Sequence, residues 1–314
     1  MTFRLSAIVL ALLVLACGFV FPWSKTLIII GMCYGIATLG VSLPARSGQV
    51  SFGHAMFACV SAYSVAFIAR AYPNLDGITL IILGTLISVA FGALIGLFMV
   101  RYRGIFFGML NLAVSMVIFA LIGKLYNLTG GSDGIRIERP LFLGIATDRD
   151  TFEIILLVLS ITLALTLGWL TQRFMKSGYG EALLGLKTNE TRLEYLGLSA
   201  HNILWIAYIF SALLMGVSGA IFALTQGLVT PDIGSWLRSG EYVFIMILGG
   251  TSNALGAFLG AGVFELVKLT ASAYMSGVWQ MLLGITLLVV IVVAPDGIVG
   301  AIEKYSNKKQ GDVK

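Results

Sequence analysis

Charge is scarce in this sequence. Only 11% of its 314 residues are Asp, Glu, Lys or Arg, where soluble domains carry roughly a quarter. Too little polar material is present to build a water-facing surface, and a soluble globular fold is excluded. Cysteine is rarer still. Cys17, Cys33 and Cys59 are odd in number, lie in apolar runs and show no metal-ligand spacing, which leaves them as packing residues without a redox role. Catalytic signatures are missing as well. The chain has no G-x-x-x-x-G-K-[ST] phosphate loop, no H-E-x-x-H, no G-x-S-x-G elbow and no Cys/His cluster, so it is not expected to hydrolyse ATP, hold a metal or act as an enzyme.

Apolar residues take the space that charge leaves: 58% of the chain is hydrophobic and its mean hydropathy is +0.97. A net charge of +5 is compatible with nucleic acid, but Lys and Arg fall in short clusters between apolar runs. That arrangement is the signature of membrane topology, with lipid as the surrounding medium and no nucleic-acid partner.

Apolar runs cover residues 5–21, 26–43, 54–71, 78–100, 105–125, 152–171, 203–225, 241–269 and 277–294. Each approaches or exceeds the ~20 residues that a helix needs to cross hydrocarbon. No alternating ten-residue pattern is visible, and lipid cannot satisfy open strand edges. The expected fold is all-α: a polytopic transmembrane bundle of about eight spans plus re-entrant segments, one domain over residues 1–314. The first run follows Arg4 as a signal peptide would. It ends in Phe21-Pro22-Trp23 without a small-x-small cleavage site, and is therefore read as the first span.

A cytoplasmic N-terminus puts the basic loops at 101–103 and 172–202 inside, together with the tail at 301–314, and puts the loop at 126–151 outside. Three runs then lie between two cytoplasmic segments, where the number of crossings must be even. The run at 241–269 is too long for one helix and is broken by Gly249-Gly250-Thr251-Ser252-Asn253. Ten residues from Glu241 to Gly250 span about 15 Å, half a bilayer, which predicts a re-entrant half-helix turning back at these glycines inside the bundle. A kinked helix with one extra span is the alternative. An analogous break runs from Pro44 to Gly53, and paired broken segments point to a transport pathway.

The polar residues in the two breaks are Ser47, Gln49, Ser51 and His54, and Thr251, Ser252 and Asn253. They fit either direct lining of the pathway or packing, with the polar groups satisfied by neighbouring helices. Glu265 and Lys268, i and i+3, are expected to neutralise each other near the outer face. In the external loop, Thr129 and Asp133 of Leu128-Thr-Gly-Gly-Ser-Asp-Gly-Ile135 serve either a docking surface or a plain turn. The inner segment Ser177–Gly197 carries Leu183, Leu184, Leu186, Leu193 and Leu196 on short apolar faces, and Thr191 with Glu194 fits a capping box that restarts a helix after Asn189. Its mixed acids and bases suit a protein groove better than a lipid surface.

Taken in order, Gly48-Gln-Val-Ser-Phe-Gly-His-Ala55, Thr129-Gly-Gly-Ser-Asp-Gly134, Tyr179-Gly-Glu-Ala-Leu183 with Leu196-Gly197, Leu248-Gly-Gly250 with Gly256-Ala257 and Gly260-Ala261, and Ala294-Pro-Asp-Gly-Ile-Val-Gly300 resemble the branched-chain amino-acid ABC transporter permeases, most closely the M-type subunit of the leucine/isoleucine/valine system. The resemblance implies a bacterial inner-membrane permease working with a second, similar permease, two cytoplasmic ATPase subunits that bind ATP and Mg, and a periplasmic substrate-binding protein. It also implies that Gly180, Glu181, Ala182, Glu190 and Gly197 belong to the segment that docks on the ATPase. Urea and short-amide permeases share the superfamily. A stand-alone secondary transporter is the competing reading, weakened by the scarcity of intramembrane carboxylates.

Overall fold

The computed structural model describes residues 14–142, 144–145, 147–251, 253–274, 279–293 and 297–300. Most of the first apolar run, Ser252 and the tail at 301–314 lie outside the described residues.

The described residues fold as helices: α1 (Lys25–Arg46), α2 (Ala55–Ala71), α3 (Gly77–Met99), α4 (Gly104–Lys124), α5 (Arg149–Met175), α6 (Gly178–Thr188), α7 (Glu190–Tyr195), α8 (Ala200–Gln226), α9 (Trp236–Gly249), α10 (Ala254–Tyr274) and α11 (Trp279–Val293). Two-residue strands, β1 (Ile135–Arg136) and β2 (Leu228–Val229), pair antiparallel. Six helices, α1, α3, α4, α5, α8 and α10, are long and apolar enough to cross a membrane, and α2 is a shorter apolar helix. Helices dominate because each satisfies its own backbone, the one economical solution for chain surrounded by lipid.

Side-chain contacts define two ends of the bundle. At the near end, Gln172 accepts a hydrogen bond from Ala254 N (2.9 Å), and Arg46 donates to Thr251 O (3.3 Å). At the far end, Lys25 faces Asp150 at 4.0 Å and β1 pairs with β2. Helix α8 is the hub and packs on α1, α2 and α3. Small residues let it approach: Gly84, Ser88, Gly92 and Gly96 recur every four positions on α3, and a Cβ added at Gly92 would lie 2.3 Å from Ala212 Cβ. Close contact between small-residue faces supplies the packing that a lipid solvent does not drive.

Two crossings are broken. After α1 the chain runs without helix from Ser47 to Gly53 and rises into the bundle before α2 begins. After α8 it passes through β2 and a short 3-10 turn at Pro231–Gly234, descending from the far end before α9 begins. These excursions run in opposite directions, and the two short helices start against each other: Ala55 N donates to Ser239 Oγ at 3.0 Å.

This corrects the pairing expected from sequence. The turn at Gly249–Gly250 exists, with Gly250 at φ +88°, a conformation open to glycine. It sits at the near end, as its neighbours Arg46 and Gln172 show, and not in the middle of the bundle. The run at 241–269 is two antiparallel helices, α9 and α10. Their backbones touch where a Cβ on Gly260 would lie 2.4 Å from Ile245 O. Between the 172–202 segment and Gly297, which lies against Gly250, stand α8, α9, α10 and α11. The counterpart of the 47–54 break is 227–235. Lys268, expected near the outer face beside Glu265, stands in mid-helix and reaches Glu241 on α9 at 3.2 Å.

Helix α4 closes both breaks. Its buried residues are Phe107, Gly108, Asn111 and Ser115, a single stripe. A Cβ on Gly108 would lie 2.7 Å from Val50 O, one on Gly53 would lie 2.0 Å from Asn111 O, and Ser115 Oγ donates to Gly234 O at 3.1 Å. Replacing Gly53 by Ala is therefore expected to destabilise the fold by about 1–3 kcal/mol through overpacking. Gly262, with open space around it, is expected to gain roughly 0.5–1 kcal/mol on the same change. Thermal unfolding in detergent reads both; equal effects at the two positions contradict the seam.

Candidate functional site

The residues singled out in the first break are placed in very different ways. Ser47 Oγ turns back onto Pro44 O at 2.7 Å, closing the end of α1. Gln49 is buried, and its Oε1 accepts from Gly104 N at 2.7 Å, tying the break to the start of α4. Ser51, also buried, accepts from Gly53 N at 3.3 Å. His54 is wholly buried between Phe57 and Tyr208, with ring centroids at 5.5 and 5.3 Å, both edge-on. Neither ring nitrogen meets a hydrogen-bond partner in the protein. The groups packed edge-on against it are aromatic, Phe57 on α2 and Tyr208 on α8.

Of the second group, Thr251 is exposed and Asn253 half-buried at the near end, where Asn253 Oδ1 accepts from Leu255 N at 3.2 Å. They stabilise the α9–α10 turn, while Ser252 lies outside the described residues. At the far end, Thr129 is buried, its hydroxyl 2.5 Å from Ile122 O and 2.9 Å from Leu125 O. It holds the loop from within. Asp133 is exposed and accepts from Tyr126 at 3.1 Å, a contact that pushes the Tyr126 phenol above its ordinary pKa.

The middle of the bundle is built by residues that sequence reading passed over. Asn111 Nδ2 donates to Phe107 O (2.8 Å) and its Oδ1 accepts from Tyr208 (2.5 Å). Asn111 and Ser115, one turn apart in an otherwise apolar run, were the available signal. Ser239 was hidden because 226–240 reads as a connector.

The near end carries the segment of α6 and α7. Between α5 and α6 the chain reverses so sharply that a Cβ on Gly180 would lie 2.2 Å from Met175 O. Ala182 and Leu183 are buried against the bundle; Glu181 is exposed. The helix does restart after Asn189, and the cap is Asn189 itself, whose Oδ1 accepts from Arg192 N at 3.1 Å. Thr191 and Glu194 do not form the expected box. Gly197, at φ +80°, ends α7, with Leu198 N donating to Leu193 O at 3.1 Å. Glu190 binds inward: Arg103 meets it through two hydrogen bonds, 3.0 and 2.9 Å. Among the exposed polar residues Thr191, Arg192 and Glu194, the tip carries two large apolar side chains, Tyr195 88% and Leu196 70% exposed.

A short chain of contacts thus links this segment to the first break. Glu190 holds Arg103; the next residue, Gly104, holds Gln49; and Lys187 lies beside Gly48. Broken, paired crossings inside a bundle of membrane-length helices are the kind of element that transporters use.

The comparisons agree. Residues 23–292 match the family described as branched-chain amino acid transport system / permease component. The whole chain aligns with 79% of the high-affinity branched-chain amino acid transport system permease protein LivM of Salmonella typhimurium at 26% identity, and with 79% of its Escherichia coli counterpart at 25%. Over 43% of the chain, it is 28% identical to 40% of the autoinducer 2 import system permease protein LsrC of Klebsiella pneumoniae. With a match over most of its length, and six helices fit to cross a membrane, this multi-pass membrane protein belongs to the family of branched-chain amino acid transport system permease components.

Proposed function

We propose that the chain is the permease subunit of an ATP-driven importer, forming with a second, similar permease the passage for branched-chain, hydrophobic amino acids across a bacterial inner membrane. The near end is cytoplasmic in this reading, and two ATPase subunits dock there. A binding protein delivers solute at the far end. Full-length likeness to the LivM proteins supports the amino-acid class over that of LsrC, which matches less than half of the chain.

One observation carries the importer reading: the α6–α7 segment presents exposed Tyr195 and Leu196 outward while Glu190 grips Arg103 inward. An exposed apolar tip on a polar surface suits a partner groove. ATP and Mg belong to the docked ATPases. Closure of their dimer would displace the tip, and the Glu190–Arg103 and Gly104–Gln49 links would carry that displacement into the 47–54 break. A bundle with two packings then alternates its access, because discrete packings do not deform continuously. Tight binding is left to the delivery protein, and a weak site in the passage lets the solute leave.

Two outcomes are expected. Purified in mild detergent, the wild-type chain recovers the ATPase subunits and the second permease, whereas Leu196→Asp keeps the permease and loses the ATPases. Solute movement by the chain alone in liposomes would contradict the reading. Arg103→Glu is expected to cut ATP-driven uptake by about tenfold or more, and adding Glu190→Arg to restore it. This half-exposed pair contributes about 1 kcal/mol or less to stability, so unfolding temperature should move little. Normal uptake in both single variants would rule out this route.

A further inference from the structure

Tyr34 on α1, Arg238 and Glu241 on α9, and Lys268 on α10 meet inside the bundle. Glu241 uses both carboxylate oxygens: Oε2 lies 3.0 Å from Arg238 Nη1 and Oε1 lies 3.2 Å from Lys268 Nζ. The Tyr34 hydroxyl accepts from Arg238 and lies 3.4 Å from both Lys268 Nζ and Glu241 Oε2. The two cations bracket its ring, Arg238 at 5.5 Å and Lys268 at 5.4 Å from the centroid. One turn before Lys268 stands Glu265, buried, with Oε1 unpartnered.

Depth makes the cluster unusual. Glu241 lies eight residues before the near-end turn at Gly249, and Lys268 fourteen after Ala254, so the group sits roughly 12–21 Å above the near end, within the hydrocarbon layer. Its heads are not sealed. The side chains of Arg238, Glu241 and Lys268 are 19%, 14% and 26% exposed. Partly exposed charge at that depth is strongly unfavourable against lipid and therefore belongs on a face turned to water or protein. Arg238 and Glu241 also lie in the first two turns of a broken crossing, the kind of element that places polar groups at mid-membrane.

We propose that this cluster is a wall of the passage and takes the charged head of a zwitterionic amino acid, an inference that rests on the importer reading above. The set already contains two cations and two carboxyl groups. A zwitterion enters by exchange, its carboxylate replacing Glu241 on Arg238 and Lys268 while its ammonium takes Glu241 and the Tyr34 hydroxyl. Every charge keeps a partner throughout, so the head group passes without being stranded. A bare amine or a bare carboxylic acid offers only half of this exchange. The cluster is thus assigned a role in selecting amino acids over uncharged or singly charged solutes.

The test uses the intact transporter in proteoliposomes, with Cys17→Ser as background. Leu237→Cys, at the exposed neighbour of Arg238, is treated with a charged, membrane-impermeant thiol reagent. Labelling that slows during turnover with leucine-loaded binding protein supports the site. No labelling of this cysteine, or labelling that leucine leaves unchanged, overturns it and points to lipid or a permanent subunit contact. In parallel, Arg238→Gln is expected to lower leucine uptake about tenfold or more with subunit recovery unchanged, and Arg238→Lys to restore part of the rate. Wild-type uptake by Arg238→Gln removes the site and leaves the importer standing. Absence of ATP-dependent uptake in the unmutated transporter removes both.

Discussion

A helix that begins inside a membrane leaves its first backbone N–H groups without partners, and lipid supplies none. Two helices of this chain begin there, and each meets the demand locally. At α2, Ala55 N finds Ser239 Oγ, Met56 N finds Gly53 O and Phe57 N finds His54 O. At α9, Ser235 accepts from Arg238 N and Ser239 N. Because Ser239 serves α2 while standing in the first turn of α9, neither start is independent of the other. The α4 stripe of Gly108, Asn111 and Ser115 then presses on both breaks. This junction fixes the centre of the molecule, and the long helices around it are the wall that keeps it from lipid.

From the junction, contacts lead outward in two directions. Toward the near end, Gln49, Gly104, Arg103 and Glu190 reach the surface segment. Toward α1 and α10, Arg238 and Glu241 meet Tyr34 and Lys268. Both routes end on the same pair of broken crossings, and in the importer proposed above they would tie the motor to the passage. His54, for all its prominence in sequence, packs edge-on against Phe57 of α2 and Tyr208 of α8.

Much of this was legible in the residues. Scarce charge and long apolar runs announced the bundle, the Pro44–Gly53 stretch announced a break, and a helix restart after Asn189 was expected, although from a Thr191–Glu194 box and not from Asn189 as the cap. The second break escaped because hydropathy ended one run at Thr225 and opened the next at Glu241. The fifteen residues between, with Pro231, Asp232 and Arg238, looked like a connector. Ser235 as an N-cap ahead of an apolar stretch was the overlooked sign. Gly249-Gly250 was legible as a turn but not by depth, since local sequence does not say how far into the bundle a turn sits. Partners such as Arg103 for Glu190, or Glu241 for Lys268, depend on packing between distant segments and have no local trace.

Hydrogen exchange on the complete transporter, with and without a non-hydrolysable ATP analogue, bears most directly on the shared junction. The backbone amides of 49–57 and of 231–239 are expected to be slow without nucleotide and to change together when it binds, alongside those of 178–197. A change confined to 178–197, or one break altering while the other stays fixed, would contradict the account.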